Sequence, residues 1–356
     1  MLKKVLKIVG RVLLVVLVTV VILAGTVYIM LQKCCNGPSE SARNLFVTTI
    51  LETGQMKFLA SWVCSDEEIQ AIVNSNSMEA FDKEVDTDKI VIPPSGTQTE
   101  EEGFDENGIK IVEISGRTFF AKLMIIKDPS QVKVGTTYPW TEYGENLDVI
   151  VSNSGAVAGV NGGLYQSSGN KGGRPLGYVV SNGEVQYNGP YDCVGMYLIG
   201  LNKDNILIIK SMEGMTQDSF KAYVQSEGIR DAVAFQEESS DSNNHFVPLI
   251  INGEARQLNG MGSGANPRTA IGQRADGAIL LLVTDGRGAS GHLGATAADL
   301  IGIMQEYGAV NAANIDGGSS STMVYNGAYE MTSVTFYYAN SSWRLPTAFV
   351  VMPKEK

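Results

Sequence analysis

Residues 266–327, NPRTAIGQRADGAILLLVTDGRGASGHLGATAADLIGIMQEYGAVNAANIDGGSSSTMVYNG, decide how this chain folds. Residues 278–284 are an unbroken apolar run rich in Leu and Val, which reads as a buried strand that stops at Asp285-Gly286-Arg287. Thr296 with Asp299 three residues on has the form of a helix capping box, and Leu300, Ile303, Met304 and Tyr307 follow at helical spacing. Gly308 is a natural helix stop. Residues 309–315 read as a second strand, ending in Asp316-Gly317-Gly318 and then Ser319, Ser320 and Ser321. Strand, helix and strand in one sheet make a right-handed crossover between parallel strands. Asp285 and Asp316 would then leave the sheet at one carboxyl edge, where open α/β sheets hold their ligands.

The residue types around the two carboxylates suit a phosphorylated or sugar ligand. The Gly-Gly-Ser-Ser-Ser turn offers backbone N–H groups and hydroxyls without bulk, and Arg268 and Arg287 supply cations for an anionic group. An Asp-Gly pair taken singly is an ordinary turn; two of them at one edge beside two arginines make a site. A second Gly-Gly pair follows residues 156–160, and Asn161-Gly162-Gly163 there would present the Asn161 amide to a cleft, free to hydrogen-bond a sugar.

Four segments resemble the phosphodiester glycosidase family. They are Val160-Asn161-Gly162-Gly163-Leu164-Tyr165, Asn266-Pro267-Arg268-Thr269-Ala270-Ile271-Gly272, Asp285-Gly286-Arg287 and Asn314-Ile315-Asp316-Gly317-Gly318-Ser319-Ser320. They occur in the family's order within residues 109–353, and the chain departs from it at Ser319, often a third Gly, and at Leu164-Tyr165, often an aromatic pair. The resemblance implies a hydrolase that cleaves a sugar-1-phosphate diester, leaving the phosphate on the other alcohol. Carried onto this sequence, it gives Asp316, Asp285 and Arg268 as catalytic residues. Asn161, Gly162, Gly163, Arg287, Asn314, Gly317, Gly318, Ser319 and Ser320 become substrate-binding residues. No cofactor is required by this reading, although the carboxylates could instead hold a Ca²⁺ or Mg²⁺ ion. A non-catalytic binder of phosphorylated envelope polymer is the other class in play.

Working outward, Lys3, Lys4, Lys7 and Arg11 precede residues 12–31, twenty residues without a charge, which is the length of a membrane-crossing helix. The cations belong on the cytoplasmic side, so the expectation is a signal anchor with the remainder outside the cell. Residues 1–33 are read as tail and anchor, 34–108 as a helical stalk and acidic linker, and 109–356 as the catalytic domain. The stalk would hold helices near 41–53 and 65–74, and the linker, 81–106, is acidic and broken by Pro93 and Pro94. The fold class is α+β: a mixed sheet flanked by helices, one crossover unit carrying the site, and the N-terminal helix. Further strands are expected at 110–115, 118–126, 149–151, 332–338 and 348–352, with Asn-Gly hairpins at 182–183 and 252–253.

Several function classes are excluded or restricted. A net charge of −11 and a pI near 4.8 argue against nucleic acid as a partner, since a phosphate backbone calls for a basic surface. The glycan and the membrane are the partners expected. Two histidines, His245 and His292, leave almost no material for a Ser-His-Asp triad or a multi-His zinc site, though His292 lies in the loop after Asp285. Glu237 and Glu238 could reach the cleft or be solvated. The four cysteines, at 34, 35, 64 and 193, have no metal-like spacing, and Cys64 and Cys193 could pair or be buried singly.

Overall fold

A computed structural model describes residues 2–53, 56–94, 102–189, 195–239, 244–333 and 341–354. It divides between Ser75 and Asn76 into two units.

In the first unit a single helix, Leu2–Cys35, contains the expected apolar span, and it is long and apolar enough to cross a membrane. Its large apolar side chains between Val5 and Met30 are exposed. Two shorter helices follow. Glu40–Leu51 is capped by the Ser39 side chain, and Asp66–Asn74 by a complete Ser65/Glu68 capping box, as the Ser-acidic pattern predicts. Val47, Ala60, Val63 and Ile72 pack with Cys35 and Cys64 into a small core.

The second unit begins at Asn76, and residues 76–94, part of which reads as linker in the sequence, are held by it. The Val91 N–H donates to the Ala275 carbonyl at 2.8 Å, the Asp86 N–H to Asn252 at 2.8 Å, and Ile90 is buried. The remainder of the acidic stretch, 95–101, lies outside the described residues.

The main sheet of this unit has seven strands in the order Ile109–Ser115, Phe120–Ile126, Ile279–Thr284, Thr269–Arg274, Ala309–Ile315, Pro248–Ile251 and Glu254–Ala255. The strands Ile279–Thr284 and Ala309–Ile315 each pair antiparallel with Thr269–Arg274, which lies between them. They are therefore parallel to one another, joined by the helix Ala297–Glu306, and both end at one edge. The Thr296/Asp299 capping box starts that helix, and Gly308 with φ 77° follows it.

The unbroken apolar run has a simple cause: both faces of its strand are buried. Leu280 and Leu282 pack with Leu300, Ile303 and Met304 of the helix. Ile279, Leu281 and Val283 face the opposite way, into a core shared with two further five-stranded sheets. One of these contains Ala158–Asn161 and Thr347–Val351, and the other is built on the Tyr178–Ser181 and Ile229–Gln236 strands. Both Asn-Gly turns form as expected, with Asn182, Gly183, Asn252 and Gly253 all at positive φ.

Two strand expectations need correction or restriction. Residues 149–151 lie in a helix, Leu147–Asn153, because Leu147, Ile150 and Val151 place one buried face against Ala348 and Val350 and Gly155 at φ 67° follows its end. Near the C-terminus a strand spans Ala328–Thr332, and residues 334–338 of the expected 332–338 strand fall outside the described residues.

Candidate active site

The site is built on the turn that follows Ile315. Here the chain must pass close to two other segments, and glycine allows both approaches. A Cβ at Gly317 would lie 2.9 Å from the Pro267 carbonyl oxygen, and one at Gly318, with φ 61°, 2.6 Å from an Arg287 guanidinium nitrogen. The Gly318 N–H donates to the Pro267 carbonyl at 2.8 Å, which ties the turn to the start of the neighbouring strand.

Asp316 is the titratable centre of this turn. Burial pushes its carboxyl pKa up to about 7, against the lowering effects of the Ser320 hydroxyl, the Gly317 N–H and the nearby Arg287 guanidinium. Asp316 as a residue is half-buried. Ser320 has one hydroxyl hydrogen, and giving it to Asp316 leaves its oxygen to accept from the Tyr165 hydroxyl, 2.9 Å away. Tyr165 is buried, and burial followed by the charge of Asp316 pushes its own pKa up, so it stays a neutral donor. Ser320 thus lies between Tyr165 and Asp316 in the turn.

Arg287 is the cation at this turn. Its backbone adopts φ 53°, which brings the exposed side chain back across the loop. One guanidinium nitrogen donates to Ser319 Oγ at 2.6 Å and Nε donates to Asn266 Oδ1 at 3.1 Å. The structure therefore gathers Asp316, Gly317, Gly318, Ser319, Ser320 and Arg287, and adds Tyr165 and Asn266, whose parts the sequence motifs contain but do not assign.

Other sequence candidates lie elsewhere. Arg268 is 4 % exposed, with its guanidinium donating to the Gly264 carbonyl at 3.0 Å and to Ser263 Oγ at 3.3 Å, over the Phe246 ring. Its charge is used to hold the 263–268 loop. Asn161 is a correction: it is fully buried and its amide is spent, not free for a sugar. Nδ2 donates to the Asp316 carbonyl at 2.6 Å, while Oδ1 accepts from Thr269 Oγ1 at 2.7 Å and from the Thr322 N–H at 3.2 Å. It pins the reactive turn from behind. Asn314 is 1 % exposed and donates to the Phe246 carbonyl inside the sheet.

Gly162 and Gly163 sit where two sheets meet. The Gly163 N–H donates to Thr347 Oγ1 at 3.2 Å, and a Cβ there would lie 2.5 Å from the Ala234 carbonyl oxygen. Gly163→Ala is therefore expected to destabilise the unit by about 1–3 kcal/mol through overpacking, read as a lower urea midpoint at unchanged slope.

Asp285 leaves the sheet at the expected edge, but both its oxygens are occupied. Oδ1 accepts from the Phe120 N–H at 2.7 Å and Oδ2 faces His292 Nδ1 at 2.6 Å. It thus orients His292 on the loop that also carries Arg287. Glu237 is not in the cleft; it forms a two-pronged ion pair with Arg256, at 2.6 and 2.9 Å. Among the described residues, no three or more His, Cys, Asp or Glu side chains group as a metal site would require.

A buried carboxyl with a raised pKa, an exposed guanidinium and a Ser/Gly turn at the edge of a mixed sheet make a candidate functional site. A family model for phosphodiester glycosidases matches residues 154–352, more than half of the chain. The chain belongs to the phosphodiester glycosidase family. It is also similar to the SPbeta prophage-derived uncharacterized protein YomE of Bacillus subtilis, 41% identical over 64 residues. That match spans 18% of this chain and only 10% of YomE. Among solved structures, the zebrafish N-acetylglucosamine-1-phosphodiester alpha-N-acetylglucosaminidase catalytic domain, auto-inhibited by its pro-peptide, aligns with a TM-score of 0.49 at 20% identity. The alignment covers 69% of this chain and 82% of that one. A hypothetical protein from Synechocystis aligns with a TM-score of 0.42 at 18% identity, over 69% of this chain and 61% of that one.

Proposed function

We propose that this chain is a membrane-anchored extracellular hydrolase that cleaves a sugar-1-phosphodiester bond in an envelope glycan or related glycoconjugate. The observation that carries the reading is Asp316, its pKa raised to about 7 by burial, within the Ser/Gly turn whose Ser319 hydroxyl Arg287 holds. A phosphate leaving group needs less protonation than an ordinary alcohol, so the chemistry asks chiefly for cationic stabilisation of phosphate and a carboxylate at the anomeric carbon. Arg287, Ser319 and the turn would hold the phosphate. Ionised Asp316 would act at the sugar as base or nucleophile. Arg268, Asn161 and Asp285 would act by positioning. The apolar helix Leu2–Cys35, with Lys3, Lys4, Lys7 and Arg11 at its start, would anchor the chain with the second unit outside the cell.

The test is hydrolysis of N-acetylglucosamine-α-1-phosphate methyl diester by the full chain in detergent, following free sugar and methyl phosphate. Release of both supports the reading; binding of phosphorylated envelope polymer without release of sugar would make the chain a binder instead. Two further outcomes are expected. Ser320→Ala removes a hydrogen bond that lowers the Asp316 pKa, so the acid limb of the kcat/KM profile should move to higher pH; an unmoved limb would mean that another group titrates. Because Arg287 supplies the cationic charge in this scheme, EDTA is expected to leave turnover unchanged. Loss of turnover that Ca²⁺ or Mg²⁺ restores would transfer phosphate binding to a metal ion.

A further inference from the structure

We propose that Cys35 and Cys64 are joined by an intramolecular disulfide that ties the outer end of the apolar helix to the helical unit beside it. The inference rests on the extracellular placement proposed above. Cys35 is the last residue of the helix Leu2–Cys35, and Cys64 directly precedes Ser65, the N-cap of the helix Asp66–Asn74. Both are buried, at 1% and 8% exposure, in one small core with Val47, Ala60, Val63 and Ile72. After burial, the neighbouring Cys64 thiol is the next influence raising the Cys35 pKa, as expected of two thiols sharing one core.

Two buried thiols within one small core, in a unit held by few apolar residues, are the pair in this unit that a disulfide would join. Small cores outside the cell gain most from such a staple. Cys34 does not compete for the same partner, because successive helical residues point about 100° apart and Cys34 lies outside this core. Burial also pushes the Cys64 thiol pKa up, so the reactive thiolate is scarce, and forming the bond takes an oxidant.

That oxidant is an exported thiol oxidoreductase in its disulfide form. One thiolate of the pair attacks the oxidant's disulfide to give a mixed disulfide, and the second thiolate displaces the oxidant's sulfur. Two S–H bonds break and one S–S bond forms. The two electrons reduce the oxidant's disulfide to a dithiol, which takes up the two protons.

The experiment isolates membranes containing the full chain in N-ethylmaleimide, digests the denatured protein without reductant and identifies crosslinked peptides by mass spectrometry. The purified chain in detergent, treated with glutathione disulfide, forms a parallel sample. A Cys35–Cys64 peptide in both samples is the expected result, retained in Cys34→Ser and lost in Cys64→Ser with Cys35 then alkylated. A link that forms only with glutathione disulfide supports the pairing and overturns the extracellular placement. Alkylated Cys35 and Cys64 in both samples, or a link from either to Cys34 or Cys193, overturns the proposal.

Discussion

Asp316→Asn is expected to abolish turnover, by about three orders of magnitude or more, while making the folded protein more stable above neutral pH. The two effects have one cause. Burial raises the folded-state pKa of Asp316 to about 7, well above the ordinary carboxylate value, so the folded chain holds this proton more tightly than the unfolded chain does. Between about pH 4 and pH 7 the folded state therefore binds more protons, and its stability falls as pH rises. The penalty is absent below that window and complete above it. Asparagine carries no charge at any pH and escapes the penalty. A pKa raised this far by burial corresponds to a few kcal/mol at most, and a gain of about 2 kcal/mol is expected. Thermal unfolding at pH 8 and pH 4 checks this: the variant should melt a few degrees higher at pH 8 and lose that advantage at pH 4. An inactive variant with no such pH signature would place its defect in folding or packing.

Arg287→Ala should cost about 10²–10³ in kcat/KM and raise the acid limb of the pH profile. The guanidinium reaches Ser319 and Asn266 from a loop whose backbone is otherwise closed by the Arg287 N–H to the Leu293 carbonyl at 3.1 Å, so its removal leaves the fold in place. Two losses follow. The phosphate loses a charged donor, and charge-assisted bonds to phosphate are the stronger kind. Asp316 also loses a lowering influence, and its ionisation moves to higher pH. Lysine can restore the charge but not the two-directional fork to Ser319 and Asn266, so Arg287→Lys should recover only part of the loss. Equilibrium binding of methyl phosphate supplies an independent readout. If Arg287→Ala binds methyl phosphate as tightly as the parent, the phosphate is held elsewhere and the assignment fails.

Local signals were readable wherever the physics is local. The Thr296/Asp299 and Ser65/Glu68 capping boxes and the Asn-Gly turns involve residues within three positions of one another, and each appears as written in the chain. The strand that was mistaken at residues 149–151 was too short to reveal its period, and its helical identity came from neighbours across the core. Arg268 and Arg287 look equivalent in sequence, as do Asp285 and Asp316. They differ because of partners far along the chain: Asp285 is occupied by Phe120, and Arg268 packs over Phe246. The role of Asn161 has the same origin, since it is set by Thr269, Asp316 and Thr322, all more than a hundred residues away.

The sequence by itself determined the strand-helix-strand unit, the edge at which both carboxylates emerge and the long apolar helix, because periodicity, caps and turn residues act over a few positions; the family rested on the resemblance of its four motifs. Only the tertiary structure decided that Asp316 and Arg287 meet at one Ser/Gly turn while Asn161, Arg268 and Asp285 are held by other partners. Side-chain direction and burial depend on which distant strands pack together, and desolvation by those strands is what moves the Asp316 pKa to about 7.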